Sequence, residues 1–264
     1  GPVRGSLYDE NGNIIGEAGA LLLSNLAPNA QSWLSRDRLA ARVGSKWRRE
    51  AMLEISPISG LKLLNLNYIT DESTFLNFSC FENNVSGLVY LQTASTSQNI
   101  SATHLINTSD EAQKLRGTLF GSDGSQIGSS NQPLHSGSIP PKGRIIITSE
   151  DLETTFNVSA WTGPAIIEVS GSSSFELMTK LTSPSGLVSN TNCVREDQVH
   201  NINGYDRSDV TYVRFINTGE TPIRNIRGEL YDHRGNLIGD PNILIVQELS
   251  PKEHLWKSRD RLSD

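Results

Sequence analysis

The 264-residue chain sets 23 Lys and Arg against 29 Asp and Glu, a formal charge of −6 scattered without blocks. No basic run exists to follow a phosphate backbone, which excludes nucleic acid as an expected partner, and no stretch approaches the ~20 apolar residues of a membrane-spanning helix. Abundant Ser, Thr, Asn and Gly with few aromatics suits an extracellular or cell-surface all-β protein.

In chain order, the first element is Arg4-Gly-Ser-Leu-Tyr-Asp-Glu-Asn-Gly-Asn-Ile-Ile-Gly16. Alternating residues lead into Asn11-Gly12, a pair that supplies the positive φ of a tight turn, so the segment predicts a β-hairpin. It returns as Arg116 to Gly128 and again as Arg227 to Gly239, at offsets of 116 − 4 = 112 and 227 − 116 = 111 residues. A fixed period of this kind marks a tandem array. Gly1-Pro2 reads as a protease-cleavage remnant, so the natural chain is expected to extend in both directions.

A proline turn follows each hairpin: Leu26-Ala-Pro-Asn-Ala30, Ile139-Pro-Pro-Lys-Gly143 and Leu249-Ser-Pro-Lys-Glu253. Next come Ser35-Arg-Asp-Arg-Leu39, Ser149-Glu-Asp-Leu152 and Ser258-Arg-Asp-Arg-Leu262, where the serine and the early acidic residue predict an N-cap and a short helix, closed in the first copy by Gly44. Trp47 and Trp161 then open the strands Ala51–Ser56 and Ala165–Ser170. Further strands are predicted at Leu61–Leu66 and Phe175–Met178, turns at Thr70–Ser73 and Ser183–Gly186, and a closing strand at Cys80 or Cys193. The stretches 82–99 and 195–209 read as linkers, each with room for one strand (Gly87–Leu91, Val199–Ile202). Ile100–Ile106 and Val210–Ile216 open the second and third copies and end at Asn107 and Asn217.

Seven or eight short strands and one helical turn per copy predict an all-β fold of tandem antiparallel β-sandwich repeats, period about 112 residues. The expected domains are 1–95, lacking a first strand; 96–206, complete; and 207–264, a partial third repeat that completes another domain. The repeated structural positions are Arg4, Gly5, Tyr8, Gly12, Trp47 and Cys80; Arg116, Gly117, Phe120, Gly124, Trp161 and Cys193; and Arg227, Gly228, Tyr231 and Gly235. Cys80 and Cys193 are equivalent residues in successive domains. A bridge needs Cα atoms within about 7 Å, so free thiols are expected, with bonds to partners outside the chain as the alternative. Each arginine before the repeated glycine is expected to meet a carboxylate.

Together the strand Phe215-Ile-Asn-Thr-Gly219, the Gly-x-Leu-Tyr-Asp hairpins, the Leu-x-Pro turns and the Ser-x-Asp-Leu caps before a Trp strand resemble the Ig-like β-sandwich repeats of large secreted or surface-displayed bacterial proteins. The resemblance spans nearly the whole chain, rests on turns, caps and core positions, and implies a stalk, adhesive or accessory role. It brings no catalytic residue with it.

The residues supply no chemistry of their own. His104, His135, His200, His233 and His254 stand singly, without the spacing of metal ligands, and read as surface or half-buried residues. No nucleophile, phosphate-loop or dinucleotide motif is present. The Asp9 to Asn13 and Asp232 to Asn236 turns faintly resemble a calcium loop, but Gly121 replaces the aspartate in the middle copy. Asp37, Asp151 and Asp260 read as helix-cap residues. The sequons at Asn77, Asn84, Asn107 and Asn157 are as frequent as Asn/Ser-rich composition gives by chance. The expectation is a non-enzymatic extracellular structural or adhesive module without cofactor, partnered by neighbouring repeats or like subunits and self-assembling by strand completion at its ends. The alternative is a carbohydrate-binding module with exposed aromatics, Tyr68, Tyr90, Tyr205 and Tyr212 among them, or a contact with another surface protein.

Overall fold

The computed structural model describes residues 1–28, 30–48, 50–56, 58–61, 63, 66–69, 74–77, 84–91, 96–186, 188–190, 212–232, 234–258 and 262, with backbone alone for 66–69, 74–77, 84–91 and 190. Cys80, Cys193, His200, Tyr205, His233 and Asp260 lie outside the described residues, as do the side chains of Tyr68, Tyr90, Asn77 and Asn84. The chain is all-β, with antiparallel sheets and two short helices among the described residues.

The N-terminal segment holds β1 (Val3–Tyr8), β2 (Ala20–Leu23), α1 (Arg36–Val43) and β3 (Met52–Ile55), its sheet running β2-β1-β3. The pairs β4 (Leu66–Ile69) and β5 (Thr74–Asn77) follow, then β6 (Asn84–Leu91). The central segment comprises β7 (Ile100–Asn107), β8 (Arg116–Gly121), β9 (Gln126–Pro133), β10 (Arg144–Thr148), α2 (Ser149–Phe156), β11 (Ala165–Thr182) and β12 (Val188–Asn190). The C-terminal segment has β13 (Tyr212–Ile216), β14 (Ile223–Tyr231), β15 (Leu237–Leu249) and β16 (His254–Ser258), paired as β13-β16 and β14-β15.

The 18-residue β11 organises the centre. Two strands expected there, Ala165–Ser170 and Phe175–Met178, are one. Its first part lies between β8 and β6, and its second pairs with β7 and β12. The strand can turn between these two sets of neighbours because Gly171 offers no side chain: a Cβ there would stand 2.7 Å from both Gln113 Oε1 and Leu115 Cδ2. Ala165, Ile167 and Val169 alternate inward from the first part and Leu177 from the second. They meet Leu105, Leu119, Ile147, Leu152, Phe156 and Trp161 in one sandwich-like core. Trp161 is therefore a core residue. The strand read within the 82–99 stretch, β6, hydrogen-bonds into this central sheet.

Local chemistry sets the helix ends. Ser35 accepts from the Arg38 N–H, and Gly44 closes α1 at φ 72°. For α2 the cap lies one residue earlier than the serine suggested. Thr148 accepts from the Asp151 N–H while Asp151 accepts from the Thr148 N–H, a reciprocal capping box, and Ser149 is the first helical residue.

The turn after β7 hangs on one side chain. Asn107 is wholly buried. Its Nδ2 donates to the carbonyls of Glu111, Ile139 and Pro140, while its Oδ1 accepts from Ser109 and Gln113. Asn217 does the same at the end of β13, donating to Thr221 O and Leu249 O and accepting from the Gly219 N–H. An apolar replacement strands several buried backbone groups at once, and each costs about 1–3 kcal/mol. Asn107→Leu is expected to destabilise the chain by roughly 3 kcal/mol in urea unfolding, and Asn217→Leu to loosen the C-terminal strands in hydrogen exchange.

Candidate functional site

The three hairpin turns share one backbone form. Gly12, Gly124 and Gly235 have φ of 79°, 79° and 83°, and each N–H closes the turn onto the carbonyl three residues back, at Asp9, Gly121 or Asp232. Asp9 shapes its turn by accepting from the N–H groups of Asn11 and Asn13 through Oδ1 and from Asn13 Nδ2 through Oδ2. Asp232 is bonded in the same way to Arg234 and Asn236. In the middle hairpin Asp123, two residues further on, takes over by accepting from Ser125. The carboxylates are thus used by the turns, which accounts for the calcium-loop likeness. Burial opposes the ionised Asp9, but its bonds from Asn13, Asn11 and Gly12 hold its carboxyl below the usual range.

Two of these tips are docked against the proline turn of the following segment, with matching contacts. At the first, the Arg144 N–H donates to Glu10 O, and a Cβ on Gly12 would lie 2.0 Å from Pro141 O. At the second, the His254 N–H donates to Ser122 O, and a Cβ on Gly124 would lie 2.2 Å from Pro251 O. In both turns the next residue is a lysine in the left-handed region, Lys142 at φ 56° and Lys252 at 61°.

These lysines join what the sequence separates. Lys142 Nζ is 2.7 Å from Glu54 Oε1, 88 residues away, 3.1 Å from Asp110 Oδ1 and 2.8 Å from Thr108 O. Lys252 Nζ is 3.0 Å from Glu168 Oε1, 84 residues away, 2.8 Å from Glu220 Oε1 and 3.0 Å from Thr218 O. Glu54 and Glu168 occupy the same place in the two Trp strands. The lysine side chains are only 14% and 7% exposed. Burial by itself would lower both ammonium groups, but Glu54 with Asp110, and Glu220 with Glu168, raise them above the ordinary lysine value.

Beside the first contact, Glu50 gathers two cations and a buried imidazole. Lys180 bonds its carboxylate, Arg144 NH1 lies 3.2 Å away and His104 Nδ1 3.4 Å away. Burial opposes the Glu50 charge, but Lys180, His104 and Arg144 together hold its carboxyl below the usual range. His104 and His254 are buried, not half-exposed as the sequence suggested, because both lie under these contacts. The pair His104/Arg144 on β7 and β10 reappears on β13 and β16 as Arg214/His254 with the residue types exchanged, Arg214 NH2 standing 3.0 Å from His254 Nδ1. Burial, followed by Lys180 for His104 and by Arg214 for His254, pushes both imidazoles down to about 4.

The remaining repeated positions have scaffold roles. Arg4, Arg116 and Arg227 meet backbone carbonyls instead of the expected carboxylates: those of Gly19, Asn131 and Asn242, each 15 residues on. Gly5 and Gly117 admit a neighbouring strand closely, a Cβ meeting Glu54 O at 2.6 Å and Glu168 O at 3.2 Å, while Gly228 faces Ile245. Tyr8 donates to Glu54 Oε2 at 2.9 Å, Phe120 has no hydroxyl to do so, and Tyr231 is exposed and bonds Glu229. Trp47 packs on the N-terminal core under the Arg36 guanidinium. Tyr212 is exposed and meets Trp256 edge-on at 6.2 Å, and Trp33, 60% exposed, lines a shallow pocket with Ser32, Arg38 and Arg42. Sequence reasoning missed the two lysine–glutamate pairs. Their signal was visible, a Pro-Lys in two turns and a Glu in both Trp strands, but nothing linear connects them.

No family model and no curated protein matches the chain. Among solved structures it is similar to the "Structure of infectious bursal disease virus Gx strain", at 11% identity and a TM-score of 0.19, over 69% of this chain and 52% of that one. The chain therefore spans about half of that neighbour, and so low a score carries no argument.

Two outcomes follow from the contacts. Gly12→Ala and Gly124→Ala are each expected to destabilise by about 2 kcal/mol more than Gly235→Ala, whose Cβ meets nothing within 4 Å among the described residues, when melting curves are compared. With both histidines depressed from 6.5 to about 4, the unfolded chain takes up protons before the folded one. Stability should thus fall from pH 6.5 to 4, by roughly 3 kcal/mol per histidine, and His104→Gln should flatten part of that slope in urea titrations.

Proposed function

We propose that this chain is a non-enzymatic extracellular structural and adhesive module of tandem Ig-like β-sandwich repeats, like those of large surface-displayed bacterial proteins. Its repeats are fastened in series through the hairpin and lysine contact. One observation carries this: the contact occurs twice with the same partners, Gly12–Pro141 with Lys142–Glu54, and Gly124–Pro251 with Lys252–Glu168. An ion pair with a covered lysine, backed by a steric fit, restrains the angle between neighbours, which is what a stalk requires of its joints. The Ser-, Thr- and Asn-rich composition supports the extracellular location.

The test is small-angle scattering of the wild type beside Lys142→Ala/Lys252→Ala. The wild type is expected to scatter as one rigid particle, and the variant to gain the flexible signature of separately moving segments. A variant as rigid as the wild type would remove the lysine joint from the proposal.

A second function, carbohydrate binding, has one observation in its favour: Trp33 exposed beside Ser32, Arg38 and Arg42. It predicts glycan-array binding that Trp33→Ala abolishes.

A further inference from the structure

We infer that the joint between the N-terminal and central segments carries an acid-operated latch. The Glu50 carboxylate of one segment, held by Lys180, Arg144 and His104 of the other, lets go as the cluster takes up protons, and the two segments swing apart while each stays folded. This rests on the reading of the chain as jointed modules given above. The latch is made by side chains other than Lys142 and Glu54, and it belongs to the first joint alone. Glu168 follows Glu54 by 168 − 54 = 114 residues, and 50 + 114 = 164 is Pro164, which carries no carboxylate.

Leu105, Ile147 and Leu177 point into the sandwich core, so the alternate residues of the same three strands share the opposite face. These are His104 on β7, Arg144 and Ile146 on β10, and Glu176, Met178 and Lys180 on β11. Much of that face is covered: His104 is 2% exposed and Met178 7%. The carboxylate that reaches into it comes from the N-terminal segment. Glu50 bonds Lys180 through Oε1, and its Oε2 lies 3.2 Å from Arg144 NH1 and 3.4 Å from His104 Nδ1. Arg144 NH2 also donates to the Glu50 carbonyl at 3.2 Å, so this one residue is gripped by its side chain and its backbone. Among the described residues, the charged groups around His104 are Glu50, Arg144, Lys180 and, two positions along the same face of β11, Glu176.

Closed and at neutral pH, the latch holds two cations, one carboxylate and an uncharged imidazole. The Glu50 side chain is 44% exposed, so protons reach it directly, whereas Lys180 and Arg144 are 17% and 12% exposed. Neutralising Glu50 and charging His104 leaves three cations side by side with no charge from Glu50 between them, which favours opening into water. Burial, and then Lys180, lower the imidazole from 6.5 to about 4 in the closed joint. Burial opposes the Glu50 charge, but its bond to Lys180 and the neighbouring His104 and Arg144 hold it below 4.5. An open joint therefore binds protons more readily than a closed one, and falling pH favours it, through His104 between 6.5 and about 4 and through Glu50 below 4.5. His104 alone shifts the ratio of open to closed by about 300-fold across its window. Burial raises the Glu176 carboxyl, so its proton favours the closed state and offsets part of this. The apolar clusters on either side, around Leu7 and Leu22 and around Leu119 and Phe156, contain no ionisable side chain, so acid reaches the joint before the strands.

The experiment uses the full chain with Cys80 and Cys193 changed to Ser and spin labels on Ala41→Cys and Thr154→Cys, exposed positions of α1 and α2 on either side of the joint. Pulsed dipolar spectroscopy reads their distance distribution as the pH is lowered from neutral to below the imidazole value, and far-UV circular dichroism checks the strands at each step. The expected result is a narrow distribution at neutral pH that broadens in acid while the strand signal persists. Glu50→Gln, a neutral stand-in for the protonated carboxyl, should broaden nearer neutral pH than the parent chain, and His104→Gln should stay narrow to a lower pH. A parent chain that stays narrow until its strand signal is lost overturns the latch. So does a midpoint unmoved by Glu50→Gln, or one that is the same with and without His104. A distribution already broad at neutral pH removes the jointed reading beneath the latch, so the two failures are told apart.

Discussion

A lysine ammonium paired with carboxylates of two different segments is the constraint on which the arrangement of this molecule depends. The lysine side chains are covered while their carboxylate partners stay open to water, so each ammonium keeps its charge by pairing at the edge of the contact. Lys142 pairs with Glu54 from the N-terminal sheet and with Asp110 and Thr108 O from its own segment. Lys252 pairs with Glu168, Glu220 and Thr218 O. Each lysine thus needs its neighbour to be where it is, and the same requirement appears at both contacts.

The steric half of the contact is as demanding as the electrostatic half. A backbone carbonyl stands where any Cβ on Gly12 or Gly124 would be, so the tip approaches closer than any other residue type would allow. The turn already calls for glycine by its positive φ, and a single residue therefore satisfies the hairpin and the docking together. Behind the receiving turn, Asn107 and Asn217 tie the strand end to the carbonyls of the loop through buried side-chain bonds, presenting the proline at a fixed height. The histidines buried beneath complete the layer. Uncharged, they are compatible with the adjacent Arg144, Lys180 and Arg214; protonated, they would add a like charge to a site with little water.

Much of this was legible in the linear sequence. The hairpins at Asn11-Gly12 and Asp123-Gly124, the cap and stop of α1 at Ser35 and Gly44, and the inward Trp161 follow from turn, cap and burial preferences that act within a few residues. The sequence misled where two residues compete for one role. Thr148, one position before Ser149, captured the α2 cap because Asp151 could answer it three residues on. The arginines before the repeated glycines seemed to need carboxylates, but the carbonyl of a left-handed residue 15 positions on, Gly19 for Arg4 and Asn242 for Arg227, lies within reach.

The sequence by itself determined the local structure: the strands, their turns and the short helices, because those depend on neighbours along the chain. The tertiary structure alone decided which tip meets which turn, that Glu54 lies against Lys142 across 88 residues, that Ala165 to Thr182 runs as one strand serving two sets of neighbours, and that His104 and His254 are buried. These depend on charge and volume meeting across segments, and no local preference encodes a distance between residues the chain holds so far apart.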